Sequence, residues 1–182
     1  MKIELKNYTS LIFDFDGVFT NNKVYVDQNG LESIRFSRAD GYGINLLALS
    51  KAKKLHNLDY FVLSSEKNSI VSYRCEKMNI NCIQSIADKF EYLTKKYVHP
   101  ENGVRPNLKQ LIYVGNDLND LQIMLKAGLT FCPNDAHPMI KSISSFVSER
   151  NGGQDFVREI IEILLGFEQL GIEEINELIS NR

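Results

Sequence analysis

The stretch LIFDFDGVFT, residues 11–20, places two aspartates at the end of an apolar run. The Leu, Ile and Phe residues before Asp14 have the composition of a buried strand. Asp14 and Asp16 then follow two residues apart, and Gly17 breaks the run. Carboxylates in an apolar context are costly unless a cation or a reaction uses them. The stretch therefore predicts a buried strand that ends at a functional site.

The bulk composition bounds the class of protein. The 182 residues fit a single domain, residues 1–182, with its own core. The formal net charge is −2 and there is no Lys/Arg block. Nucleic-acid binding, which needs phosphate neutralisation, is therefore not expected, and a small-molecule partner is favoured. No run reaches the roughly 20 apolar residues of a membrane span, and Met1 starts no signal core, so a cytoplasmic location is expected.

Cysteine and histidine form no metal-binding pattern along the chain. The cysteines are odd in number, widely spaced and free of CxxC pairing, which is typical of buried reduced thiols. The histidines show no i, i+4 pair, so a histidine metal site is not expected. The residues concerned are Cys75, Cys82, Cys132, His56, His99 and His137.

Short apolar runs rich in β-forming residues alternate with segments of helical spacing. Such alternation is typical of βαβ units, whose right-handed crossovers make a parallel sheet covered on both faces. The sequence therefore predicts an α/β fold, a three-layer sandwich with a mainly parallel, Rossmann-like sheet. The expected strands are residues 8–13, 60–63, 82–84, 111–114, 129–132 and 146–148. The expected helices are residues 44–56, 67–78, 87–98, 118–127 and 156–165.

Three segments depart from this alternation. Residues 23–37 alternate with period two around Asn29-Gly30 and predict a β-hairpin flap directly after the aspartate pair. Residues 168–180 carry enough apolar side chains for a tail helix that docks on another surface, with a second subunit as one possibility. Residues 97–110 hold two prolines and a glycine and predict a surface loop.

Polar side chains follow several of the predicted strands at the point where each strand ends. In open α/β sheets, ligands bind beyond the carboxyl ends of the strands, so these side chains are expected at one site. They are Asp14 and Asp16 after the first strand, Ser64 and Ser65 after DYFVL, and Asn116 and Asp117 after LIYV. Lys89, near the start of the helix after NCIQSIAD, could approach the same edge.

These residue types suit the transfer of a phosphoryl group. Asp14 is the candidate nucleophile, which would form an aspartyl-phosphate. Asp16 is the candidate acid that protonates the leaving alcohol and later activates water, a task that requires a raised pKa. Ser64 and Lys89 would hold phosphate oxygens while charge shifts in the transition state. Mg²⁺, held by oxygens, would offset the repulsion between Asp14 and the phosphate.

Each of these residues alone also has an ordinary structural explanation. A strand-end aspartate such as Asp16 or Asp117 can cap a turn or the next helix. Ser64 or Ser65 can be a helix N-cap, and Lys89 can be a solvated charge. Their joint occurrence, in chain order at successive strand ends, favours a functional site.

The same residues resemble the four motifs of the haloacid-dehalogenase superfamily of phosphotransferases. The first motif, DxDGxxT, matches residues 14–20, and the second, a strand ending in Ser or Thr, matches Ser64. The third-motif lysine matches Lys89, and the acidic fourth motif matches residues 115–120. The resemblance covers nearly the whole chain and implies a Mg²⁺-dependent phosphoric monoester hydrolase. The metal ligands that it implies are Asp14, Asp16, Asn116 and Asp117.

Within that superfamily, the chain is similar to the small capless branch that dephosphorylates eight- and nine-carbon 3-deoxy-2-keto sugar acid phosphates. The landmarks are the hairpin, RADGYGI at residues 38–44, NDAHP at 134–138 and ERNGGQDFVREI at 149–160. Members of this branch look like tetramers in which a neighbour's hairpin and tail help to close the site. The resemblance therefore implies a homotetramer, and it implies Asp40 and Gly41 as substrate-binding residues.

The segment after the second motif bears on the substrate. Octulosonate phosphate phosphatases usually carry Gly-Arg there, whereas this chain offers Ser65, Glu66, Arg74 and Lys77, as in nonulosonate (sialic-acid-like) phosphatases. A helix over residues 67–78 would bring the last three toward one face, with Lys77 about 16 Å from Glu66 along the axis. The primary expectation is a nonulosonate 9-phosphate of sialic acid biosynthesis. The alternative is a 3-deoxy-octulosonate 8-phosphate of lipopolysaccharide biosynthesis.

The fourth motif departs from the family pattern. Active relatives usually begin it Gly-Asp, and here Asn116 stands where that aspartate binds the metal. An amide oxygen can ligate Mg²⁺ but brings no charge, so Asp117 is the alternative ligand. A related domain, appended to animal sialic-acid cytidylyltransferases, also has Gly-Asn there and serves assembly more than catalysis. A weakly active or inactive oligomerisation module is thus the alternative of another class, and retention of the four catalytic candidates favours the enzyme.

Overall fold

The computed structural model describes residues 3–98 and 107–180. The strands of the main sheet are β1 (Ser10–Phe13), β4 (Asp59–Leu63), β5 (Asn81–Ile83), β6 (Leu111–Val114), β7 (Leu129–Cys132) and β8 (Phe146–Val147), and a separate antiparallel hairpin consists of β2 (Tyr25–Val26) and β3 (Glu32–Ser33). Within the described ranges, the main sheet has six strands, all parallel, in the order β5-β4-β1-β6-β7-β8. The predicted α/β class is confirmed.

Helices cover both faces of the sheet. They are α1 (Arg38–Ala52), α2 (Ile70–Lys77), α3 (Lys89–Val98), α4 (Leu121–Met124), α5 (Pro138–Ile143), α6 (Phe156–Leu165) and α7 (Ile172–Ile179). Helices α1, α2 and α6 pack in the apolar cluster on one face, and α3, α4 and α5 pack in the cluster on the other. The sandwich therefore has the three layers predicted. No helix in the described ranges is long and apolar enough to cross a membrane.

Strand β1 lies in the middle of the sheet, and this position explains its continuous apolar sequence. Leu11 and Phe13 point into the cluster beneath α1 and α6, whereas Ile12 points into the opposite cluster beneath α3. All three side chains are fully buried. A parallel strand covered on both faces reads as an apolar run instead of an alternating one. The apolar residues of the opening stretch thus carry its two aspartates to the centre of the carboxyl edge.

Helix α1 begins at Arg38, whereas the spacing predicted a helix over residues 44–56. The Ser37 side chain caps it by accepting a backbone N–H of the first turn. Glycines in this turn lower helix propensity and hid the start from the sequence analysis. Gly43 is needed for packing, because a Cβ there would lie 3.1 Å from the Cα of Arg158 in α6. Close contact between α1 and α6 thus overrides the local preference.

The chain around the fourth motif is less helical than predicted. The helix expected over residues 118–127 is a 3₁₀ turn, Leu118–Asp120, followed by the single turn of α4. In contrast, α5 was not predicted. Two sequence features indicate its start. Pro138 stands at the first helical position, where a missing N–H costs no hydrogen bond, and the His137 side chain before it caps the helix.

The predicted hairpin flap is present, within residues 23–37, and its paired strands are short. The Asp27 carboxylate closes the connecting loop by accepting two backbone N–H groups, including that of Leu31 at 2.9 Å. The Glu32 carboxylate accepts a hydrogen bond of 2.7 Å from the Asn68 side chain. The flap therefore contacts the loop that follows β4.

The tail helix α7 docks within this chain, against α1. Leu178 is buried in this contact, whereas Ile172 at the other end of the helix is exposed. Contact with a second subunit, which the sequence analysis left as one possibility for this segment, is therefore not needed to bury Leu178. The surface loop predicted at residues 97–110 falls largely on residues 99–106, which lie outside the described ranges, as does His99.

Candidate active site

The sheet brings the polar strand ends together at its carboxyl edge. Phe13, at the end of β1, is in register with Val62 of β4 on one side and Val114 of β6 on the other. Strand order reverses between β1 and β6, and ligands bind at such switch points in open α/β sheets. The residues that follow these three strands therefore lie side by side.

A cavity of about 380 Å³ opens at this edge. It is lined by predicted residues from three strand ends: Asp14, Asp16, Ser64, Ser65, Asn116 and Asp117. Asn22, Leu118 and Asn119 also line it and were missed by the sequence analysis. Their signal was proximity in the chain, since each lies within or next to a recognised motif.

Asp14 is held by one of its two carboxylate oxygens. Its Oδ1 accepts the backbone N–H of Phe15 at 2.7 Å and lies 2.6 Å from the Lys89 ammonium. Its Oδ2, on a side chain that lines the cavity, has no hydrogen-bond partner among the described residues. One oxygen is thus fixed by the protein and the other is available to a ligand.

Lys89 is buried, which rules out the solvated charge that was its ordinary explanation. Its Nζ bridges Asp14 Oδ1 at 2.6 Å and Asp120 Oδ1 at 2.8 Å. Asp120 is fully buried and also accepts hydrogen bonds from the Tyr113 hydroxyl at 2.8 Å and the Asn116 backbone N–H at 3.0 Å. Asp120 was not among the predicted site residues, although it is the last residue of the acidic fourth motif.

Burial governs the protonation of both aspartates of the first motif. It raises the pKa of Asp14, an effect that the Asp120 charge reinforces, whereas the Lys89 ammonium, 2.6 Å from Oδ1, opposes the rise and favours the carboxylate. Burial also raises the pKa of Asp16, as does the charge of Glu66, while the Asp16–Thr20 hydrogen bond lowers it. Asp16 therefore has the direction of pKa shift that a proton donor at this position needs.

Ser64 and Asp117 each make a local hydrogen bond as well as lining the cavity. Ser64 Oγ accepts the backbone N–H of Glu66 at 3.0 Å, so its own proton is free to donate. Asp117 Oδ1 accepts the N–H of Leu118 at 2.7 Å and caps the 3₁₀ turn. Asp117 thus has the capping contact that was its ordinary explanation.

Asn116 provides the test of whether a cation fits this site. Its Oδ1 is buried and lacks a hydrogen-bond partner among the described residues. Its side chain lies against Gly17, where a Cβ would come within 1.9 Å of Nδ2. A buried, unpaired carbonyl oxygen beside the carboxylates of Asp14 and Asp16 suits a hard divalent cation. Histidine, cysteine and carboxylate side chains form no group of three that could hold an ion in the described ranges. The Asn116 amide lines the same cavity as these two aspartates.

Three predicted substrate residues do not line this cavity: Glu66, Arg74 and Lys77. Helix α2 begins at Ile70, so Glu66 precedes it and the expected common helical face is wrong. Glu66 instead caps the turn before the helix through its carboxylate. The Arg74 guanidinium lies over the Phe36 ring at 5.2 Å, and Lys77 is exposed at the end of α2.

Asp40 and Gly41, also expected at the substrate, lie outside the cavity as well. Asp40 is 1% exposed, and its Oδ1 accepts the backbone N–H of Arg158 in the first turn of α6 at 2.9 Å. Asp40 Oδ2 has no hydrogen-bond partner among the described residues. A Cβ at Gly41 would lie 3.1 Å from the Arg74 guanidinium. The structure thus gives both residues contacts between helices.

The buried Asp40 carboxyl predicts a pH-dependent stability. Burial raises its pKa from 3.8 to about 6. A pKa that is higher in the folded state stabilises the fold below pH 3.8, and this contribution is lost as the pH rises through about 6. Asp40→Asn keeps the acceptor for the Arg158 N–H and removes the titration. We expect the variant to be more stable than the wild type by about 1–3 kcal/mol near neutral pH.

Urea unfolding of both proteins at several pH values measures this difference. The advantage of Asp40→Asn is expected to vanish near pH 4, whereas Asp40→Ala, which also removes the acceptor for the Arg158 N–H, should be less stable by about 1 kcal/mol at that pH. Parallel pH dependence in the wild type and Asp40→Asn would contradict a buried, titrating Asp40.

Comparison with known proteins assigns the family. No protein-family model matches the chain. A curated relative, the 3-deoxy-D-manno-octulosonate 8-phosphate phosphatase KdsC of Salmonella typhi, is 32% identical over 165 residues, which cover 88% of this chain and 80% of the relative. The chain belongs to the KdsC family. The predicted membership of the haloacid-dehalogenase superfamily, in its capless sugar-acid phosphatase branch, is thereby confirmed, as is the phosphoric monoester hydrolase class.

Solved structures of KdsC-type phosphatases share the fold. The cobalt-bound deoxy-D-mannose-octulosonate 8-phosphate phosphatase of Haemophilus influenzae is 28% identical, with a TM-score of 0.73 over 89% of this chain and 90% of that one. The enzyme of Moraxella catarrhalis, in complex with magnesium, phosphate and KDO, has a TM-score of 0.75 over 89% of this chain and 88% of that one. At 23% identity, the second likeness concerns the fold alone.

These relatives also bear on the expected substrate. The curated KdsC proteins are named for the octulosonate 8-phosphate, which was the alternative expectation, whereas the nonulosonate 9-phosphate was the primary one. The comparisons therefore favour the alternative.

Proposed function

We propose that this chain hydrolyses 3-deoxy-D-manno-octulosonate 8-phosphate, a step of lipopolysaccharide biosynthesis, with Mg²⁺ as the cofactor. The substrate rests on membership of the KdsC family, whose curated relative carries that name. The chemistry rests on the arrangement of Asp14, Asp16, Ser64, Lys89 and Asn116 at the carboxyl edge of the sheet.

The free Oδ2 of Asp14 is the single observation that carries the proposed chemistry. A carboxylate that attacks phosphorus must present an oxygen without a competing hydrogen bond. Oδ1 is held by Phe15 and Lys89, so the carboxylate cannot rotate without losing both contacts. Oδ2 then attacks the phosphorus, the leaving alcohol departs, and an aspartyl-phosphate forms on Asp14.

Asp16 and Ser64 serve the same reaction from the cavity wall. The raised pKa of Asp16 favours the protonated form, which donates its proton to the leaving alcohol and afterwards accepts one from the attacking water. The Ser64 hydroxyl donates its proton to a phosphate oxygen while its own oxygen accepts the Glu66 N–H. Lys89 offsets the charge of Asp14 next to the phosphate.

The metal ligands proposed are a carboxylate oxygen of Asp14, the backbone carbonyl of Asp16, which leaves the Asp16 side chain to act as the acid, and the amide oxygen of Asn116. Mg²⁺ held by these oxygens would supply positive charge that offsets the repulsion between Asp14 and the phosphate. The cobalt in the Haemophilus influenzae relative supports a divalent ion. Asp117 is the less favoured ligand, because its carboxylate caps the Leu118 N–H.

Asn116→Asp tests this ligand set. The added carboxylate should repel Asp14 and Asp16 in the metal-free protein and lower its melting temperature. The greater ligand charge should also lower the Mg²⁺ concentration for half-maximal activity by roughly tenfold. Thermal melting without Mg²⁺ measures the first effect, and turnover against Mg²⁺ concentration measures the second. Asp117→Asn, which preserves the cap, is the companion variant. Unchanged Mg²⁺ dependence in Asn116→Asp together with weakened dependence in Asp117→Asn would assign the metal to Asp117.

A panel of phosphate esters with and without Mg²⁺ tests the substrate. We expect turnover of the octulosonate 8-phosphate to exceed that of a nonulosonate 9-phosphate and of a small generic ester. Preference for the nonulosonate would restore the first expectation, which Glu66, Arg74 and Lys77 motivated. In that case, a double variant with Glu66→Ala and Arg74→Ala that lost far more activity on that sugar than on the generic ester would show that these two residues select the substrate. Absence of turnover with every ester of the panel would favour the alternative that the chain is an oligomerisation module.

The expected homotetramer is part of the same proposal. Its support is the exposed apolar surface of the flap, where each of four side chains is more than half exposed: Val24, Tyr25, Val26 and Leu31. Contiguous exposed apolar side chains favour a protein interface. Light scattering is expected to give a tetramer for the wild type and smaller species when Tyr25 and Leu31 are both changed to Ser. A monomeric wild type would contradict the proposal.

A further inference from the structure

Tyr113 places a hydroxyl deep in the apolar layer beneath α3. It lies on β6, is fully buried, and packs in the same cluster as Ile12 and Leu63. A buried tyrosine hydroxyl needs a hydrogen-bond partner. Its partner is Asp120 Oδ1, at 2.8 Å. Burial and the Asp120 charge raise the Tyr113 pKa well above its ordinary value, so the hydroxyl keeps its proton and donates it to this bond.

The Asp120 oxygen that accepts from Tyr113 is the one that holds Lys89. The Lys89 ammonium lies 2.8 Å from Asp120 Oδ1 and 2.6 Å from Asp14 Oδ1, so two carboxylates share one cation. Asp120 Oδ2 accepts the Asn116 backbone N–H at 3.0 Å. Asp120 is thereby fixed by donors on both oxygens, and its position sets that of Lys89.

We propose that the Tyr113 hydroxyl positions Lys89 for the reaction at Asp14, acting through Asp120. By donating to Oδ1, it reduces the negative charge with which Asp120 attracts the ammonium. Without this donor, the Lys89–Asp120 pair strengthens and draws the ammonium away from Asp14. Tyr113 does not line the cavity, so it is a positioning residue. The inference rests on the proposed roles of Asp14 and Lys89 and adds a residue that the four sequence motifs do not contain.

Tyr97 offers a matched control. It is buried in the same apolar cluster, and its hydroxyl hydrogen-bonds the Ser10 hydroxyl at 2.8 Å, at the opposite end of β1 from Asp14. Tyr113→Phe and Tyr97→Phe therefore each remove one buried hydroxyl from the same apolar cluster. Only the first deletion touches the Lys89 network.

Steady-state kinetics with p-nitrophenyl phosphate and saturating Mg²⁺ separate the two variants. Tyr113→Phe is expected to lower kcat by about tenfold, with KM within about twofold of the wild type, because a hydrogen bond to a charged group is lost. Tyr97→Phe is expected to keep both parameters within about twofold, although both variants lose thermal stability. A kcat for Tyr113→Phe that equals that of Tyr97→Phe, or an effect on KM alone, would overturn the proposal.

Asp120→Asn tests the route of the effect. If Tyr113 acts through the Asp120 charge, then adding Tyr113→Phe to Asp120→Asn should lower kcat by no more than about twofold further. Independent, multiplying losses would overturn the proposal. The double variant lacks the buried Asp120 charge and so covers the case in which Tyr113→Phe alone does not fold. The probe is a generic ester, so failure of the octulosonate assignment shows separately, as absence of turnover with that sugar.

Discussion

Asp14→Asn is expected to abolish turnover, by at least about four orders of magnitude, while the fold stays intact. The amide is a poor nucleophile and cannot form the aspartyl-phosphate. Its oxygen still accepts the bonds that Phe15 and Lys89 make to Oδ1 in the wild type. The variant also loses a buried negative charge that lies near Asp120, so its melting temperature should be unchanged or higher.

Rapid quenching in acid measures the proposed intermediate directly. Phosphate should remain bound to the wild-type protein after the quench and be absent from Asp14→Asn. Asp59→Asn is the matched control, because Asp59 is exposed at the start of β4, the opposite edge of the sheet from the cavity. It should retain wild-type turnover. Substantial activity in Asp14→Asn would rule out the aspartyl-phosphate route.

Lys89→Met is expected to damage both activity and stability. It leaves Asp14 and Asp120 buried at 4% and 0% exposure without their shared cation. Removing one partner of a buried ion pair typically costs about 3–5 kcal/mol, because the remaining charge is uncompensated. Turnover should fall by about two orders of magnitude or more, since no ammonium offsets the charge of Asp14 beside the phosphate.

Lys95→Met on the same helix is the matched control. Lys95 pairs with Glu91 at 2.6 Å, but both side chains are more than half exposed. An exposed pair of this kind contributes less than about 1 kcal/mol. In denaturant unfolding, the free energy of unfolding should therefore fall several-fold more in Lys89→Met than in Lys95→Met. Equal losses would show that burial does not govern the Lys89 pair, and unchanged turnover in Lys89→Met would remove it from the proposed machinery.

The sequence predicted the framework of the fold because its signals are local. Apolar runs such as Leu111–Val114 predict strands that are buried on both faces. The alternation of these runs with amphipathic segments predicts βαβ units. The α1 start at Arg38 was missed because its stabilising contact, Gly43 against Arg158, joins residues far apart in the chain. Local propensity carries no information about such a contact.

Some residues of the candidate site were likewise predictable from local sequence, and others were not. The residues that directly follow β1, β4 and β6 were predictable, because parallel strands must deliver their carboxyl ends to one edge. Arg74 and Asp40 were placed at the substrate through the resemblance, yet the structure gives their side chains contacts with Phe36 and with the first turn of α6, outside the cavity. Their positions depend on where α2 begins and how α6 packs, which no short motif encodes.

The sequence by itself determined the fold class and the set of polar groups available at one edge of the sheet, since the type of each element and the ends of the strands follow from local pattern. Only the tertiary structure decided how those groups are used. It buries Lys89 between Asp14 and Asp120, leaves one oxygen of Asp14 free, and joins Tyr113 to the network. The physical reason is that hydrogen bonds and burial arise between residues distant in the chain, and both depend on the packed core.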